Sequence, residues 1–497
     1  MNDRIILSID QGTTGSRVFF FNSAGIVIAS EYREFTQHFP RSGWVEHDAM
    51  EIWEGIRQLI GTAIKNHNID PSQIAAIGIT NQRETAVIWD RDSGKPVYNA
   101  IVWQCRRTAE ICEQLKTDGH SESIHQKTGL LIDAYFTGTK IQWILDHVDG
   151  LRKKADEGTL AAGTIDSWLL YKLTGEHKTE YTNASRTMLF NIQDKKWDPD
   201  LLELLKIPSS LLPEVCKSRT LFGKTKDLEV LPDGIPVLAM AGDQQAALFG
   251  QLCTEIHQAK NTYGTGCFLL YNTGNEFILS KSGLITTLAC DAKGNPVYAL
   301  EGSIFIGGAV IQWLRDYMKF FADASETDEL IEEVEDEDDE LVFVPAFVGL
   351  GAPHWDMKAR GGIFGITRDT SPARITRAAV KSIALQTRDV IEAMEKDTGE
   401  KIKILKVDGG AAFNHFLLKY QAGILNRPVE RPQNLDTTAL GAAYLAGLEC
   451  GLWENIEELR KLQSQNTVVH SEMTEEVRNK ELSYWQKGVK RVMGWKE

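Results

Sequence analysis

No stretch of this chain approaches the roughly 20 apolar residues that a membrane-spanning helix needs, so membrane insertion is not expected. The start carries no basic segment leading into an apolar one, because Asp3 and Arg4 run straight into a short strand, and no leader is expected. Cysteine is sparse and badly spaced for pairing. Cys105, Cys112, Cys216, Cys253, Cys267, Cys290 and Cys450 are scattered, with no Cys-x-x-Cys. That pattern reads as free thiols in a reducing cytoplasm, most of them small buried hydrophobes. Positive charge is in deficit, with 54 Lys and Arg against 69 Asp and Glu and a net charge of −15, which argues against a nucleic-acid surface.

Several common motifs are also missing. Gly223-Lys224-Thr225 ends like a P-loop, but Ser218 stands where its first glycine belongs. There is no His-Glu-x-x-His and no Gly-x-Ser-x-Gly. Gly264-x-Gly266 continues with Leu269 where a dinucleotide fingerprint needs glycine, and no Cys/His spacing suits zinc.

What is present is a soluble composition, 42% hydrophobic and 25% charged, on 497 residues. That length exceeds what one core usually serves and predicts two large domains, 1–250 and 251–497. Strands are predicted at Ile5–Ile9, Val18–Asn22, Ile26–Glu31 and Ile74–Thr80, the last with its return at Thr85–Trp89. Asp48 can cap a helix over 49–66, whose Ile52, Trp53, Ile56, Leu59, Ile60 and Ile64 make one face. Further helices are predicted over 139–148, 164–173 (ended by Gly175) and 371–398. The alternation argues for a mixed α/β sheet covered by helices. The run 328–340 is densely acidic and reads as a solvated face or loop.

Three turns stand out. In Ile5–Phe21 an apolar run ends in Asp10, a Gln-Gly-Thr-Thr-Gly-Ser-Arg turn follows, and a second apolar run returns. Gly12 and Gly15 let a ligand approach the backbone, Thr13, Thr14 and Ser16 offer hydroxyls, and Arg17 offers a cation. Asp10 stands where a hydrated Mg²⁺ would need a carboxylate. An ordinary polar hairpin fits the same residues equally well. The pattern partly repeats at Thr262–Cys267, leading into Phe268–Tyr271, as if one fold were duplicated around a nucleotide. The third turn, Gly409-Gly410-Ala411, follows the strand 404–408 and opens a helix, a seat for adenosine or its phosphates or simply a tight connection. Asp436 is expected to cap a further helix of small residues.

Phosphoryl transfer needs an acceptor hydroxyl and a group to take its proton. Asp243, in Gly242-Asp243-Gln244-Gln245 after an apolar strand, could be that base or a plain helix cap. Arg83 and Glu84, side by side between two strands, could grip hydroxyls from both sides, and Trp103 and Tyr135 could wall a carbon skeleton.

With these residues assembled, the chain resembles the FGGY family of carbohydrate kinases. The resemblance runs from Ile5 to about Gly451. It rests on Asp10-Gln11-Gly12-Thr13-Thr14, Asn81-Gln82-Arg83-Glu84-Thr85, Trp103–Thr108, Thr182–Thr187, Gly242–Gln245, Tyr263–Gly266, Gly351-Ala352-Pro353 and Asp408–Ala411, in family order and spacing. It implies two actin-like, ribonuclease-H-like α/β domains with a nucleotide cleft between them. The first would carry the acceptor and the phosphate loop, the second the adenine nucleotide. It implies ATP with Mg²⁺ as donor, glycerol as acceptor, and sn-glycerol 3-phosphate and ADP as products. Carried over by position, Arg83, Glu84, Trp103, Tyr135, Asp243, Gln244 and Phe268 would line the acceptor site, with Asp243 the general base and Asp10 holding Mg²⁺. Thr13, Thr14, Gly15, Arg17, Thr265, Gly308, Gln312, Gly410 and Asn414 would meet the nucleotide. A cytoplasmic homodimer or homotetramer is expected.

The chain departs from the family in places. Gly15 stands where members often have Ser, so only its amide can serve a phosphate. Phe222–Gly234 lacks the glycine- and arginine-rich loop that binds fructose 1,6-bisphosphate in some bacterial members, and no histidine occurs between His177 and His257 to take a regulatory phosphate. Two rivals remain at this stage. A kinase for a longer polyol or a pentulose would carry smaller residues than Trp103 and Phe268. A nucleotide-gated module on the actin-like fold would have no use for Arg83-Glu84 beside Asp243.

Overall fold

Two antiparallel hairpins, each tipped by a glycine- and threonine-containing turn, begin the two halves of the molecule. The structure, a computed structural model, describes residues 4–334 and 340–496; Asp3 and residues 335–339 of the acidic run lie outside the described residues. The first hairpin joins β1 (Ile5–Gln11) to β2 (Gly15–Phe21). With β3 (Val27–Glu34), β4 (Ile74–Asn81), β5 (Arg219–Lys224) and β6 (Pro236–Gly242) it forms a six-stranded sheet, ordered β5-β6-β4-β1-β2-β3. β1 pairs parallel with β4, and β4 parallel with β6.

The second hairpin joins β7 (Ala259–Tyr263) to β8 (Cys267–Gly274). Its sheet adds β9 (Ile285–Cys290), β10 (Pro296–Ile304), β11 (Leu405–Asp408), β12 (Val429–Arg431) and β13 (Thr467–Val469), in the order β9-β10-β8-β7-β11-β12-β13. β7 pairs parallel with β11 and β11 parallel with β12, while β8 pairs antiparallel with β10. Apart from β9, the second sheet thus repeats the first, strand for strand and direction for direction. The duplication suggested by the two turns is a duplication of topology.

Helices cover both faces of the first sheet. α1 (Ala49–Asn66) begins where Asp48 accepts from the amides of Met50 and Glu51. Its buried Ile52, Trp53, Ile56 and Ile60 meet Leu7, Ile9, Phe20 and Ile79 on one face. Each such side chain contributes about 1.5–3 kcal/mol of burial. α2 (Thr137–His147) and α3 (Ile165–Thr174), the latter ended by Gly175 at φ 80°, lie where the apolar spacing predicts. α4 (Asp243–Gly250) follows β6 directly. α5 (Pro372–Thr398), capped by Ser371, packs its buried face on the second sheet. α6 (His415–Leu425) follows the Gly409-Gly410 turn.

α7 (Thr437–Glu449) has an unexpected place. Although it lies between two of the second sheet's strands in sequence, β12 and β13, its Ala439, Leu440, Ala443 and Tyr444 cover Ile6, Phe19, Phe21 and Ala76 of the first sheet. α4 lies against α7 through Ala246 and Phe249 and against the second sheet through Leu248. The two helices cross at their glycines: a Cβ on Gly441 would stand 1.8 Å from the Ala246 carbonyl oxygen, and one on Gly250 would stand 2.0 Å from that of Thr437.

Two expectations are corrected. The segment 85–89 does not return beside β4. Val87–Asp90 leaves the sheet and pairs antiparallel with Leu160–Gly163, because apolar alternation identifies a strand without naming its partner. Asp436 makes no side-chain cap on α7. Its carboxylate instead accepts from Arg17, 419 positions earlier, at 3.0 Å.

Candidate active site

The first hairpin's turn closes with the Gly12 amide donating to the Gly15 carbonyl at 2.9 Å. Asp10 and Arg17 stand opposite each other across it. Thr14 is exposed, and the Thr13 hydroxyl accepts from the Trp103 indole at 2.9 Å. This bond ties the first hairpin's turn to Trp103. Burial raises the Asp10 carboxyl to about 7, and Asp243 adds to the effect while Arg17 opposes it.

In the second hairpin the Gly264 amide donates to Gly266 at 2.9 Å. The amides of Gly307 and Gly308 donate back to the carbonyls of Thr265 and Gly264, each at 2.8 Å. Gly409 has φ 85°, and a Cβ on it would meet the Tyr263 carbonyl at 2.5 Å. Only glycine fits there, and its fit brings the third turn against the second. Thr265, Gly308 and the exposed Gly410, around which the space is open, are thus gathered together. Gln312 is exposed on the short helix that Gly308 begins. Asn414 is engaged locally, capping α6 through the Leu417 amide and donating to the Thr327 hydroxyl at 3.1 Å.

Parallel pairing of β4 with β6 sets Asn81 beside Gly242, which brings Arg83 to Asp243. Arg83 Nε lies 3.1 Å from the Asp243 carboxylate. Its Nη1 and Nη2 donate to Glu301, at 2.5 and 3.1 Å. Gly242 allows this approach, since a Cβ there would meet the Arg83 side chain at 2.8 Å. Arg186 donates to Glu84 at 2.6 Å and to Glu301 at 3.2 Å, leaving its buried Nη1 without a hydrogen-bond partner among the described residues. Burial alone would raise the Glu301 carboxyl, but Arg186 and Arg83 override it and hold it at about 2. Asp243 is the first residue of α4, not its cap, and its carboxylate accepts from the Gln244 amide at 2.7 Å. The capping position belongs to Gly242.

Glu84 is buried with a left-handed backbone, φ 61°. A non-glycine residue persists there, at a cost of about 1 kcal/mol or more, only where its surroundings hold it. The Thr137 hydroxyl and Lys140 Nζ, both from α2, donate to its carbonyl at 3.1 Å. Lys140 also holds the carbonyls of Tyr135 and Phe136, and burial lowers its pKa to about 7. The Trp103 and Tyr135 rings meet edge to face with centroids 5.5 Å apart, and the Arg186 guanidinium lies 5.6 Å from the Tyr135 ring.

Strand register brings the second sheet into the site. Phe268 stands opposite Thr262 and Ser303, and Leu270 opposite Lys260 and Glu301, so Phe268, Thr262, Lys260 and Glu301 share one face. The structure thus gathers Arg83, Glu84, Asp243 and Gln244 with Glu301, Arg186 and Lys260. The sequence reading passed over these last three. Arg186 lay inside a motif already singled out. Glu301 and Lys260 gave only the signal of a charge inside an apolar strand. Among the described residues no group of three or more His, Cys, Asp or Glu is arranged to hold a metal ion. A cation beside Asp10 would take its other ligands from phosphate and water, as Mg²⁺ commonly does.

The chain is similar to known kinases over nearly its whole length. Residues 5–250 match the N-terminal domain, and residues 259–450 the C-terminal domain, of the FGGY family of carbohydrate kinases. The chain is 57% identical over 489 residues to a glycerol kinase of Leptospira biflexa serovar Patoc, covering 98% of each. It is 54% identical over 496 residues to glycerol kinase 2 of Thermotoga maritima, covering 99% of this chain and 100% of that one. Among solved structures, Plasmodium falciparum glycerol kinase with ADP superposes with a TM-score of 0.93 at 37% identity, covering 99% of this chain and 98% of that one.

Proposed function

Because this chain belongs to the FGGY family of carbohydrate kinases, we propose that it transfers the γ-phosphoryl group of ATP to the terminal hydroxyl of glycerol, giving sn-glycerol 3-phosphate and ADP, and so commits glycerol to breakdown. The observation that carries the reading is Asp243, a half-buried carboxylate held by Arg83 Nε at 3.1 Å, within electrostatic reach of Asp10.

Asp243 takes the proton of the attacking hydroxyl, and Arg83 aims the carboxylate. Glu84, Gln244, Trp103, Tyr135 and Phe268 complete the acceptor pocket. Thr13, Thr14, Gly15 and Arg17 serve the phosphates from the first hairpin. Thr265, Gly308, Gln312, Gly410 and Asn414 serve the nucleotide from the second half. Mg²⁺, held by Asp10 and the phosphates, would offset charge on the transferring group. A loose transition state asks little of the base, so most of the rate comes from positioning and electrostatics. The same reading takes 1–250 and 251–497 as the two domains and the protein as a cytoplasmic homodimer or homotetramer.

The test is ADP release from ATP-Mg²⁺ with and without glycerol, beside a panel of polyols and pentuloses. Stimulation by glycerol alone is expected. Stimulation by a pentulose instead would keep the kinase and overturn the acceptor assignment. No stimulation by any of them would overturn the kinase reading.

A further inference from the structure

Lys260 lies in the middle of β7, fully buried, on the face of the second sheet that meets the site. A buried ammonium ordinarily demands a carboxylate partner. This one has none in contact among the described residues. It donates instead to two neutral oxygens, Gln244 Oε1 at 2.5 Å and Thr262 Oγ1 at 2.8 Å. Burial lowers its pKa to about 8, while Asp408 and Asp243 act through space to keep it charged.

An ammonium only donates. The Gln244 side chain must therefore turn its oxygen to Lys260 and its NH₂ the other way. That NH₂ makes no hydrogen bond to the described residues and is not sealed from solvent, which leaves it free for a ligand. Next to it in sequence stands Asp243, which only accepts. A hydroxyl group needs one partner that accepts its proton and one that donates to its oxygen. Asp243 and an amide fixed NH₂-outward offer that pair. An amide free to flip would present a second acceptor beside Asp243 half the time.

We propose that Lys260 is a positioning residue of the acceptor site, fixing the Gln244 amide as the hydrogen-bond donor to a substrate hydroxyl. The inference rests on the kinase reading above and adds the polarity of one contact, set from the second half of the chain. Lys260 also donates to Thr262, its neighbour on the same face of β7, which holds the ammonium in place.

The experiment is steady-state kinetics on the full chain with Lys260→Met, Gln244→Leu, their double mutant, and Gln244→Glu. Lys260→Met is expected to raise the acceptor KM about tenfold and change the ATP KM less than twofold. The double mutant is expected to be no worse for the acceptor than Gln244→Leu alone, because Lys260 acts through Gln244. Gln244→Glu keeps the partner of Lys260 but has no donor to offer. It is expected to fold as the wild type does, with the acceptor KM raised at least tenfold. This variant decides the matter if Lys260→Met does not fold. A wild-type acceptor KM in Gln244→Glu, or multiplying effects in the double mutant, would overturn the proposal. Absence of glycerol turnover in the wild type would instead bring down the kinase reading and the inference with it.

Discussion

Arg83 and Glu301 meet through two hydrogen bonds, at 2.5 and 3.1 Å, across 218 positions of sequence. Arg83 follows a strand of the first sheet, and Glu301 lies within a strand of the second. The guanidinium that approaches Asp243 is therefore anchored from the other half of the molecule. Arg186 reaches the same carboxylate, so Glu301 serves as the common counter-charge of two buried arginines. The geometry around Asp243 depends on how the two halves sit together.

Replacing Glu301 with Gln removes the carboxylate that the two buried guanidinium groups share and leaves Arg83 only Asp243 and Arg186 only Glu84. Breaking such a pair costs about 3–5 kcal/mol, and urea unfolding of Glu301→Gln should show a loss in that range. The pH dependence gives an independent check. The folded carboxyl is held at about 2, below its ordinary 4.5, so its stabilisation is present above about 4.5 and is lost as pH falls towards 2. The gap in stability between wild type and variant should close over that window. A gap that stays constant would mean the carboxylate charge is not what matters.

Asp243→Asn keeps the volume and a hydrogen-bonding oxygen while removing the base. kcat should fall by roughly 10²–10⁴, the usual range for a general base, with the melting temperature little changed because the side chain is about one-third exposed (31%). Near-normal turnover would remove Asp243 from its role.

The parts of this fold that could be read from sequence are those written in neighbouring residues. An apolar run, a glycine turn and a second apolar run specify a hairpin, and β1–β2 and β7–β8 are both there. Asp48 before an apolar stripe specifies α1. Partnership is another matter. Val87–Asp90 reads as a strand, but nothing in it says that Leu160–Gly163 is its neighbour. Asp436 has the local look of a cap, and a distant arginine takes its carboxylate. Lys260 and Glu301 show only as single charges in apolar strands, and their meaning depends on Gln244, Arg83 and Arg186, far away in the chain. The resemblance supplied the residues expected to touch ligands. It did not supply the ones that hold those residues in place.

Gly15 takes its place from Tyr32. A Cβ on Gly15 would meet the Tyr32 ring at 2.5–2.7 Å, and that ring lies 5.1 Å from the Arg17 guanidinium. A serine here must push the ring aside and forfeit the stacking, worth about 0.5–1 kcal/mol at an exposed site. Gly15→Ser should therefore lower stability by about that amount in the wild type and by nothing measurable in a Tyr32→Ala background. Equal losses in both backgrounds, by thermal melting, would show that the ring is not the obstacle.

The crossing of α4 and α7 gives the sharpest stability test. Gly441 lets the two backbones approach so closely that a Cβ would stand 1.8 Å from a carbonyl oxygen, with the Gly250 amide nitrogen at 2.9 Å. The obstacle is backbone on a packed helix, which cannot swing away as a side chain can. Both helices are also pinned, α7 on the first sheet and α4 between α7 and the second. Gly441→Ala should cost at least about 3 kcal/mol, the upper end for overpacking, although alanine is intrinsically the better helix former. Gly55, in the middle of α1, has nothing within 4 Å of its would-be Cβ. There the propensity term acts alone, and Gly55→Ala should stabilise by about 0.4–1 kcal/mol. Urea midpoints of the two variants should therefore move in opposite directions. If Gly441→Ala stays as stable as the wild type, the helices slide apart freely and the crossing is no rigid joint. If it unfolds early but Gly55→Ala does not gain, the fault lies in the propensity argument and the crossing stands.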